Sequence, residues 1–130
     1  MQSPQATLKN AWPYQQDQMN LPVADLETAL PFYETILGFR LVSRSETPHQ
    51  SAVLERDGIQ IDLAENGGDP QQDGCFFEVD DVETMLTELM ATGFDNITPD
   101  FSQQQHGNVT WKVFFVVAPD GLCYCYGQRQ

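Results

Sequence analysis

The stretch VADLETALPFYETILGF, at residues 23–39, returns in altered form as VDDVETMLTELMATGF at residues 79–94. Each stretch opens with an aspartate that can cap a helix, Asp25 in the first and Asp81 in the second. Apolar residues then recur at helical spacing, and a glycine follows as a helix end. The repeat therefore predicts two similar helices, the first of them bent or shortened at Pro31.

Strand-like segments flank the two helices in the same order, with one segment before each helix and three after it. An Asp-Gly turn signal, at residues 57–58 and 120–121, precedes the last segment of each half. The polar stretch FSQQQHGN, residues 101–108, is predicted to be a loop that lengthens the second half. Two short helices can look alike by chance, but the matching flanks and turns favour duplication of one βαβββ module, which predicts an α+β fold.

The repeat also sets the expected domain organisation. A chain of 130 residues is the size of one domain. We predict a single domain over residues 15–127, preceded by an N-terminal extension at residues 1–14. Its parts are a first module at about 15–65, a linker at 66–73 and a second module at about 74–127. The extension contains Trp12 and Tyr14, and the sequence leaves open whether they cover a site or pack on a partner.

Charge is the strongest compositional signal. Six Lys and Arg residues face nineteen Asp and Glu residues, for a formal net charge of −13. No Lys or Arg occurs between Arg56 and Lys112. Such a field repels phosphate backbones, so we expect no nucleic-acid partner, and it attracts cations. Solubility alone would also explain the charge, since a net charge far from zero keeps domains soluble.

The sequence predicts a cytoplasmic protein without a membrane segment. No apolar run approaches the roughly 20 residues that a membrane helix needs. The first residues, MQSPQATLKN, lack the basic flank and apolar core of a secretory signal. The three cysteines, Cys75, Cys123 and Cys125, are an odd number at irregular spacing, which does not indicate a disulfide framework.

Alternation within the strand-like segments separates a core face from a second, concave face. In IQIDL, residues 59–63, the apolar residues share one face while Gln60 and Asp62 share the other. In GCFFEV, residues 74–79, Cys75, Phe77 and Val79 would point to the core. The concave face would then carry Asp62, Gly74, Phe76, Glu78, Cys123 and Cys125. A sheet face that is simply exposed to water is the alternative.

The combined signature of the two modules resembles the vicinal oxygen chelate superfamily, which includes glyoxalase I, extradiol dioxygenases, and fosfomycin- and bleomycin-resistance proteins. The matching residues are Val23, Asp25, Ala29, Phe32, Tyr33, Leu37, Gly38 and Phe39, with Val79, Asp81, Pro119, Asp120 and Gly121 in the second half. The resemblance covers roughly residues 15–127. It implies two modules that form a cupped mixed sheet, in a homodimer, with a small-molecule ligand in the cup.

Enzymes of this superfamily hold a divalent metal ion through residues on the first and last strands of each module. The resemblance places Gln18, Asp62, Gly74 and Cys125 at these four positions. Gln18 and Asp62 are acceptable ligands, but Gly74 has no side chain and Cys125 stands where a carboxylate is usual. Hard octahedral ions prefer oxygen and imidazole ligands, so we expect no metal cofactor.

With this incomplete quartet, the sequence is closest in character to the bleomycin-resistance type, which sequesters a cationic glycopeptide drug without a metal. Its acidity, the tryptophan before the F-x-V-x-P-D-G strand and the CYCYGQ ending are the shared features. We therefore predict a cationic aromatic ligand, such as a glycopeptide antibiotic, held by aromatic stacking and by carboxylates. The candidate ligand-binding residues are Gln18, Asp62, Phe76, Glu78, Trp111, Phe114 and Cys125. For any one of the aromatic residues, a place in the ordinary core is the alternative.

Two other hypotheses stay open. The chain could be a metal-dependent lyase of the glyoxalase type, with a degenerate site or one completed across a dimer, and a divalent metal would then be its cofactor. It could also be a structural or regulatory module whose cup is plugged by Phe76, Phe114 and Tyr124. Whether the chain is an enzyme is therefore left open, and the incomplete quartet favours a binding protein.

Overall fold

The computed structural model describes residues 6–13, 20–47, 50–69, 74–98 and 100–130, which form two β-sheets, two α-helices and one π-helical turn. The strands are β1 (Leu8–Pro13), β2 (Asn20–Pro22), β3 (Arg40–Ser45), β4 (Ser51–Arg56), β5 (Ile59–Ala64), β6 (Gly74–Val79), β7 (Ser102–His106), β8 (Val109–Val117) and β9 (Cys123–Arg129). The helical elements are α1 (Leu26–Pro31), the π-helical turn (Phe32–Ile36) and α2 (Val82–Met90). No helix among these residues is long and apolar enough to cross a membrane.

Each predicted module forms its own sheet. The first module runs from β2 through α1 to β5 and forms a four-stranded sheet in the order β2-β5-β4-β3. The second module supplies β6 to β9 of a five-stranded sheet in the order β1-β6-β9-β8-β7. Both sheets are mixed, because β2 pairs with β5 and β6 pairs with β9 in parallel while their other pairs are antiparallel. The predicted α+β fold with two βαβββ modules is confirmed.

Strand β1 comes from the segment that precedes the two modules. It pairs antiparallel with β6, which places Trp12 opposite Phe76 and Asn10 opposite Glu78. The second module alone would leave β6 as an edge strand, and an unpaired edge exposes a row of backbone N–H and C=O groups. β1 satisfies that edge and brings an additional aromatic side chain to the sheet.

The helices begin and end as the repeat predicts. The Asp25 side chain accepts a hydrogen bond from the backbone N–H of Glu27, and Asp81 accepts bonds from the N–H groups of Glu83 and Thr84. The α-helical segment of the first module stops at Pro31, where a π-helical turn takes over. A glycine with positive φ follows each helix, at positions 38 and 93.

The prediction that residues 101–108 form a loop was wrong for most of this segment. Ser102–His106 form β7, which pairs with β8 from Ser102–Val113 to His106–Val109. The segment NITPDF, residues 96–101, is the first of the three strand-like segments predicted after the second helix; among its described residues, Ile97 makes an isolated bridge to Val116. β7 is an edge strand, and its side chains are mostly exposed. It therefore lacks the alternation of apolar and polar residues by which a strand is recognised in sequence, and its backbone hydrogen bonds to β8 stabilise it instead.

One hydrophobic core joins both modules on one face of the five-stranded sheet. Phe77 of β6 stacks on Tyr124 of β9 with ring centroids 5.4 Å apart, and Phe39 of the first module packs beside it at 5.7 Å. The hydroxyl groups of Tyr33 and Tyr124 share a hydrogen bond across this core. Both α1 and α2 contribute buried residues to the same cluster. The helices therefore cover one face of the sheet, and the described residues leave its other face without a helix.

A buried ion pair ties the modules together behind this core. Arg56 donates from Nη1 to Glu88 Oε2 and from Nη2 to Glu88 Oε1, both at 2.8 Å. The same guanidinium donates to the carbonyl oxygens of Leu37 at 2.7 Å and Ala6 at 2.8 Å. The Arg56 side chain is only 5% exposed. Because all these acceptors converge on one cation, the N-terminal segment, the end of the first helical element and α2 are held by one side chain.

Asp120 lies in the turn before β9, beside a cavity of about 160 Å³. Both of its carboxylate oxygens are buried, and neither makes a hydrogen bond of normal geometry with a described residue. Burial raises the pKa of this carboxyl group, and the nearby backbone N–H groups of Leu122 and Ala24 only partly oppose the rise. Asp120 therefore takes up its proton at a higher pH in the folded state than in the unfolded chain.

The Asp120→Asn variant is expected to be more stable than the wild type at neutral pH, by up to about 1 kcal/mol, because asparagine has no charge to desolvate. Folding raises the pKa of Asp120 above its unfolded value. The free-energy cost of burying the carboxylate is therefore fully present above the folded pKa, and it is lost as the pH falls from the folded towards the unfolded pKa. The difference between the variant and the wild type should therefore shrink under acidic conditions. Urea denaturation at neutral and at mildly acidic pH measures this. Asp95→Asn, at an exposed position, is the control, and equal effects of the two changes would contradict the prediction.

Candidate functional site

A groove of about 690 Å³ runs along the face of the five-stranded sheet that lies opposite the core. All five strands of that sheet contribute side chains to its lining. The aromatic rings are Trp12 from β1, Phe76 from β6, and Trp111 and Phe115 from β8. Because this lining is largely apolar and its open side faces solvent, the groove is suited to a flat hydrophobic ligand.

Strand register brings these side chains together. Successive residues of a strand point to opposite faces, so residues paired across neighbouring strands share a face. Phe76 is paired with Trp12 on one side and with Cys125 on the other. Cys125 is in turn paired with Phe115. The groove is therefore a continuous row across the sheet, assembled from residues far apart in sequence.

The aromatic rings of the groove contact one another mostly edge to face. Phe76 and Trp111 have ring centroids 5.0 Å apart at 79°, and Trp12 lies 6.1 Å from Trp111, also at 79°. Trp12 is 42% exposed, which is unusual for so large an apolar side chain. A planar ligand entering the groove would find ring faces and edges on more than one side, the arrangement in which aromatic contacts are favourable.

The Phe76 ring packs closely over a glycine of β9. A Cβ atom at Gly127 would lie 2.5 Å from Phe76 Cζ and 3.1 Å from Val113 Cγ1. No side chain fits at these distances without moving the Phe76 ring. Gly127 therefore allows the Phe76 ring to lie close against β9.

Polar groups are few in the groove, and one ion pair lies at its edge. The Arg129 guanidinium sits over the Trp111 ring, with Cζ 5.1 Å from the ring centroid. Its Nε donates to Glu78 Oε2 at 3.2 Å, and Asn10 Nδ2 donates to Glu78 Oε1 at 3.1 Å. Glu78 is only 3% exposed, so this carboxylate lies behind Arg129 and not in the open groove. His106 also lines the groove and hydrogen-bonds to Gln104.

The structure brings together part of the predicted ligand-binding set. Phe76, Trp111 and Cys125 line the groove. Glu78 is next to it through its ion pair with Arg129. The structure corrects the position of Phe114, which lies on the opposite face of β8, fully buried and stacked on Tyr126 at 5.3 Å, because its neighbours Val113 and Phe115 take the groove face.

The remaining predicted residues lie elsewhere. Asp62 is half-buried on β5 of the four-stranded sheet, between Ile61 and Leu63, whose side chains face the core. Gly74 begins β6 and pairs with Cys123. Gln18 lies outside the described residues. The cup is not plugged in the way that the structural-module hypothesis expected, because Phe114 and Tyr124 are in the core and the groove beside Phe76 is open.

Sequence reasoning left open whether Trp12 covers the site, and it missed Arg129 as a groove residue. Trp12 reaches the groove only through the pairing of β1 with β6, for which the sequence has no local signal. Arg129 could have been found, because residues 125, 127 and 129 alternate onto one face of β9 and Cys125 was already assigned to that face.

The described residues at the metal positions, Asp62, Gly74 and Cys125, do not fit a metal ion within one chain. Gly74 offers no ligand atom, and burial raises the pKa of the Cys125 thiol to about 12, with the neighbouring Cys123 adding to the rise. The thiolate that a metal would need is therefore scarce at neutral pH. Asp62 belongs to the other sheet, and burial raises its pKa. In the described part of the chain, no three His, Cys, Asp or Glu side chains come together as a metal site.

The sequence matches a family model over residues 15–108, and that family is described as the Glyoxalase/Bleomycin resistance protein/Dioxygenase superfamily. It is also 31% identical over 114 residues to lactoylglutathione lyase from Haemophilus influenzae. That match covers 78% of this chain and 82% of the lyase.

Solved structures of the same fold include two proteins named for the compounds they bind. A bleomycin-binding protein complexed with bleomycin has a TM-score of 0.67 and 22% sequence identity, covering 89% of this chain and 99% of that one. TnmS3, an antibiotic binding protein from a Streptomyces strain, has a TM-score of 0.60 and 19% identity, covering 85% of this chain and 92% of that one. At these identities the likeness shows a shared fold.

Proposed function

Because the chain belongs to the glyoxalase/bleomycin resistance protein/dioxygenase superfamily, we propose that it is a cytoplasmic small-molecule-binding protein that sequesters a flat cationic aromatic compound, such as a glycopeptide antibiotic, without a metal ion. The observation that carries this proposal is the solvent-open groove walled by Trp12, Phe76 and Trp111. Aromatic walls bind planar rings by stacking and edge contacts, and they need no metal to do so.

Charge supports a cationic ligand. The net charge of −13 attracts cations to the protein and speeds their capture. Close to the groove, the buried carboxylate of Glu78 is a counter-charge for a cation that stacks on Trp111. The structural neighbours named above include an antibiotic binding protein and a protein that holds bleomycin, and our proposal extends that type of ligand to this groove.

We further propose that the groove is completed in a homodimer. In the described residues, only the five-stranded sheet walls the groove, so one side is open. The first module meanwhile leaves all six residues of β3 exposed, including Leu41 at 38% and Val42 at 43%. In a symmetric dimer, the four-stranded sheet of each copy, which carries Asp62 and β3, would cover the groove of the other copy. Both the open side of the groove and the exposed β3 would then be buried. Analytical ultracentrifugation tests this proposal, and a monomer at micromolar concentration, with and without ligand, would contradict it.

The wild-type protein is expected to bind bleomycin with micromolar or tighter affinity. Trp111→Ala should weaken that binding by about tenfold or more, because a desolvated stacking contact contributes on the order of 1–2 kcal/mol. Isothermal titration calorimetry measures both proteins directly. Phe101→Ala is a matched control, because Phe101 is a half-buried aromatic residue that packs against Phe114 on the core side of the sheet. Equal affinity of Trp111→Ala and the wild type would contradict the role of the groove. No binding by the wild type would exclude bleomycin as its ligand.

A glyoxalase-type lyase is the second candidate, and the 31% identity to lactoylglutathione lyase is the observation that favours it. The donor set found within one chain argues against it. Elemental analysis of protein purified without a histidine tag distinguishes the two candidates. About one nickel, zinc, iron or manganese ion per chain, together with turnover of a glutathione thiol adduct, would establish the lyase, and the absence of both would leave the binding protein.

A further inference from the structure

The position that a cationic aromatic ligand would take in the groove is held by a side chain of the protein itself. Arg129 lies over the face of Trp111 with its Cζ 5.1 Å from the ring centroid. At the same time its Nε donates to the buried Glu78 carboxylate at 3.2 Å. A ring face and a buried counter-charge are the two contacts that make a cation–π site favourable.

Arg129 also determines the charge that an incoming ligand meets. No carboxylate lines the groove in the part of the chain that is described, whereas Arg129 does line it. Glu78, at 3% exposure, lies behind the guanidinium. A cation attracted by the acidic surface therefore meets the positive charge of Arg129 before it reaches the negative charge of Glu78.

The contacts of Arg129 are of the kind that a ligand can replace. Its side chain is 55% exposed, so it can turn out into water with little loss of packing. Among the described residues, its guanidinium hydrogen-bonds to a side chain only through Nε, and Asn10 holds the other oxygen of Glu78. An ion pair with one exposed partner contributes little net stability. Glu78 would therefore stay in place and keep one hydrogen bond while its cationic partner is exchanged.

We infer that Arg129 is an internal competitor for the ligand, a side chain that occupies the cation position of the groove and must leave when a cationic aromatic compound binds. This inference rests on the proposed function. It makes Arg129 a specificity-determining residue: a ligand is accepted when its ring covers Trp111 and its charge reaches Glu78, so that it replaces both contacts of the guanidinium. A neutral ring or an aliphatic cation replaces only one of them.

The test uses proflavine, a flat tricyclic cation, and anthraquinone-2-sulfonate, a flat tricyclic anion. Both tryptophans of the chain line the groove, so quenching of tryptophan fluorescence reports on the groove. Arg129→Ala is expected to bind proflavine about tenfold more tightly than the wild type, and to bind the sulfonate no more tightly. Arg129→Gln, which keeps a hydrogen-bond donor for Glu78, should show the same direction and protects the result against a folding defect of the alanine variant.

Two controls separate the inferred role from general charge effects. Lys112→Ala removes the same unit of positive charge from the opposite face of the same sheet, where Lys112 pairs with Glu83, and it should leave proflavine affinity unchanged. Adding Glu78→Gln to Arg129→Ala should abolish the gain, because the counter-charge is then gone. Circular dichroism confirms that each variant is folded.

The outcomes are distinguishable. A gain in proflavine affinity that is confined to the Arg129 variants and lost with Glu78→Gln supports the inference. Proflavine binding that is equal in the wild type, Arg129→Ala and Arg129→Gln overturns the inference and leaves the proposed function intact. No binding of proflavine by any of these proteins overturns the inference together with the flat cationic ligand that we propose.

Discussion

Replacing Phe77 by alanine is expected to lower the free energy of unfolding by about 3–5 kcal/mol, the range for truncating a fully buried aromatic residue. Phe77 is completely buried, and its ring has centroid distances of 5.7 Å to Phe39, 5.4 Å to Tyr124 and 5.1 Å to Tyr126. These rings come from both modules, so the cavity left by the missing ring would lie where the modules meet. Urea denaturation with fitted m-values measures the loss.

The adjacent Phe76 is the matched control, since it has the same side chain on the opposite face of the same strand. Phe76→Ala is expected to lower the free energy of unfolding by less than about 2 kcal/mol, because the ring is only partly buried. It should instead weaken ligand binding in the groove by about tenfold, since it removes a wall of the site. Similar losses of stability for the two variants would show that the sheet faces are assigned incorrectly.

Glu88→Ala is expected to lower the free energy of unfolding by about 3 kcal/mol, the lower end of the range for breaking a buried ion pair, because it leaves the buried guanidinium of Arg56 with only its longer, 3.4 Å ion pair to Asp57. Both Nη atoms of Arg56 lie 2.8 Å from Glu88 oxygens, and the Arg56 side chain is 5% exposed. The carbonyl groups of Leu37 and Ala6 still accept hydrogen bonds from Arg56, but they carry no charge, and the remaining carboxylate, Asp57, is 30% exposed and lies 3.4 Å from Nε. Thermal and urea denaturation at neutral pH measure the effect.

The Arg40–Glu55 pair supplies the comparison for this prediction. Its N–O distance is 2.6 Å, yet Arg40 is 70% exposed, so Glu55→Ala should lower the free energy of unfolding by no more than about 1 kcal/mol. An effect of Glu88→Ala as small as that of Glu55→Ala would contradict the prediction, because it would mean that water or the Asp57 carboxylate compensates the charge of Arg56.

The sequence was informative wherever one face of an element is apolar and the other polar. The repeated helix pattern predicted both α-helices and their capping aspartates, Asp25 and Asp81, because capping depends on local hydrogen bonds. Alternation in GCFFEV assigned Phe76 and Phe77 to opposite faces, and the structure agrees. These features could be predicted because neighbours in sequence determine them.

Alternation failed where both faces are apolar. β8 reads VTWKVFFVV, in which Phe114 and Phe115 are adjacent and equally hydrophobic, so the period of two that distinguishes the faces disappears. Its register is set by β9, which places Phe115 opposite Cys125 and Phe114 opposite Tyr126. The two phenylalanines are thus assigned by pairing with another strand, which cannot be inferred from the segment itself.

The candidate site was harder to predict than the fold, because its residues meet only through long-range arrangement. Asp62 and Cys125 occupy equivalent places in their modules, yet each module forms its own sheet and the two residues lie on different sheets. Trp12 and Phe76 are far apart in sequence and meet across β1 and β6. Such contacts follow from how the modules pack, and a repeat detected within the sequence does not determine that packing.

The position of β1 also bears on how ligand preference can diverge among relatives. The part of the chain that matches the family model begins at residue 15, whereas Trp12 and Asn10, which help to form the groove and to hold Glu78, precede it. Two relatives could therefore match closely over the modules and still bind different compounds, because the strand added before the modules differs. Grafting β1 from one relative onto another is accordingly a direct way to exchange one wall of the groove while the duplicated modules stay unchanged.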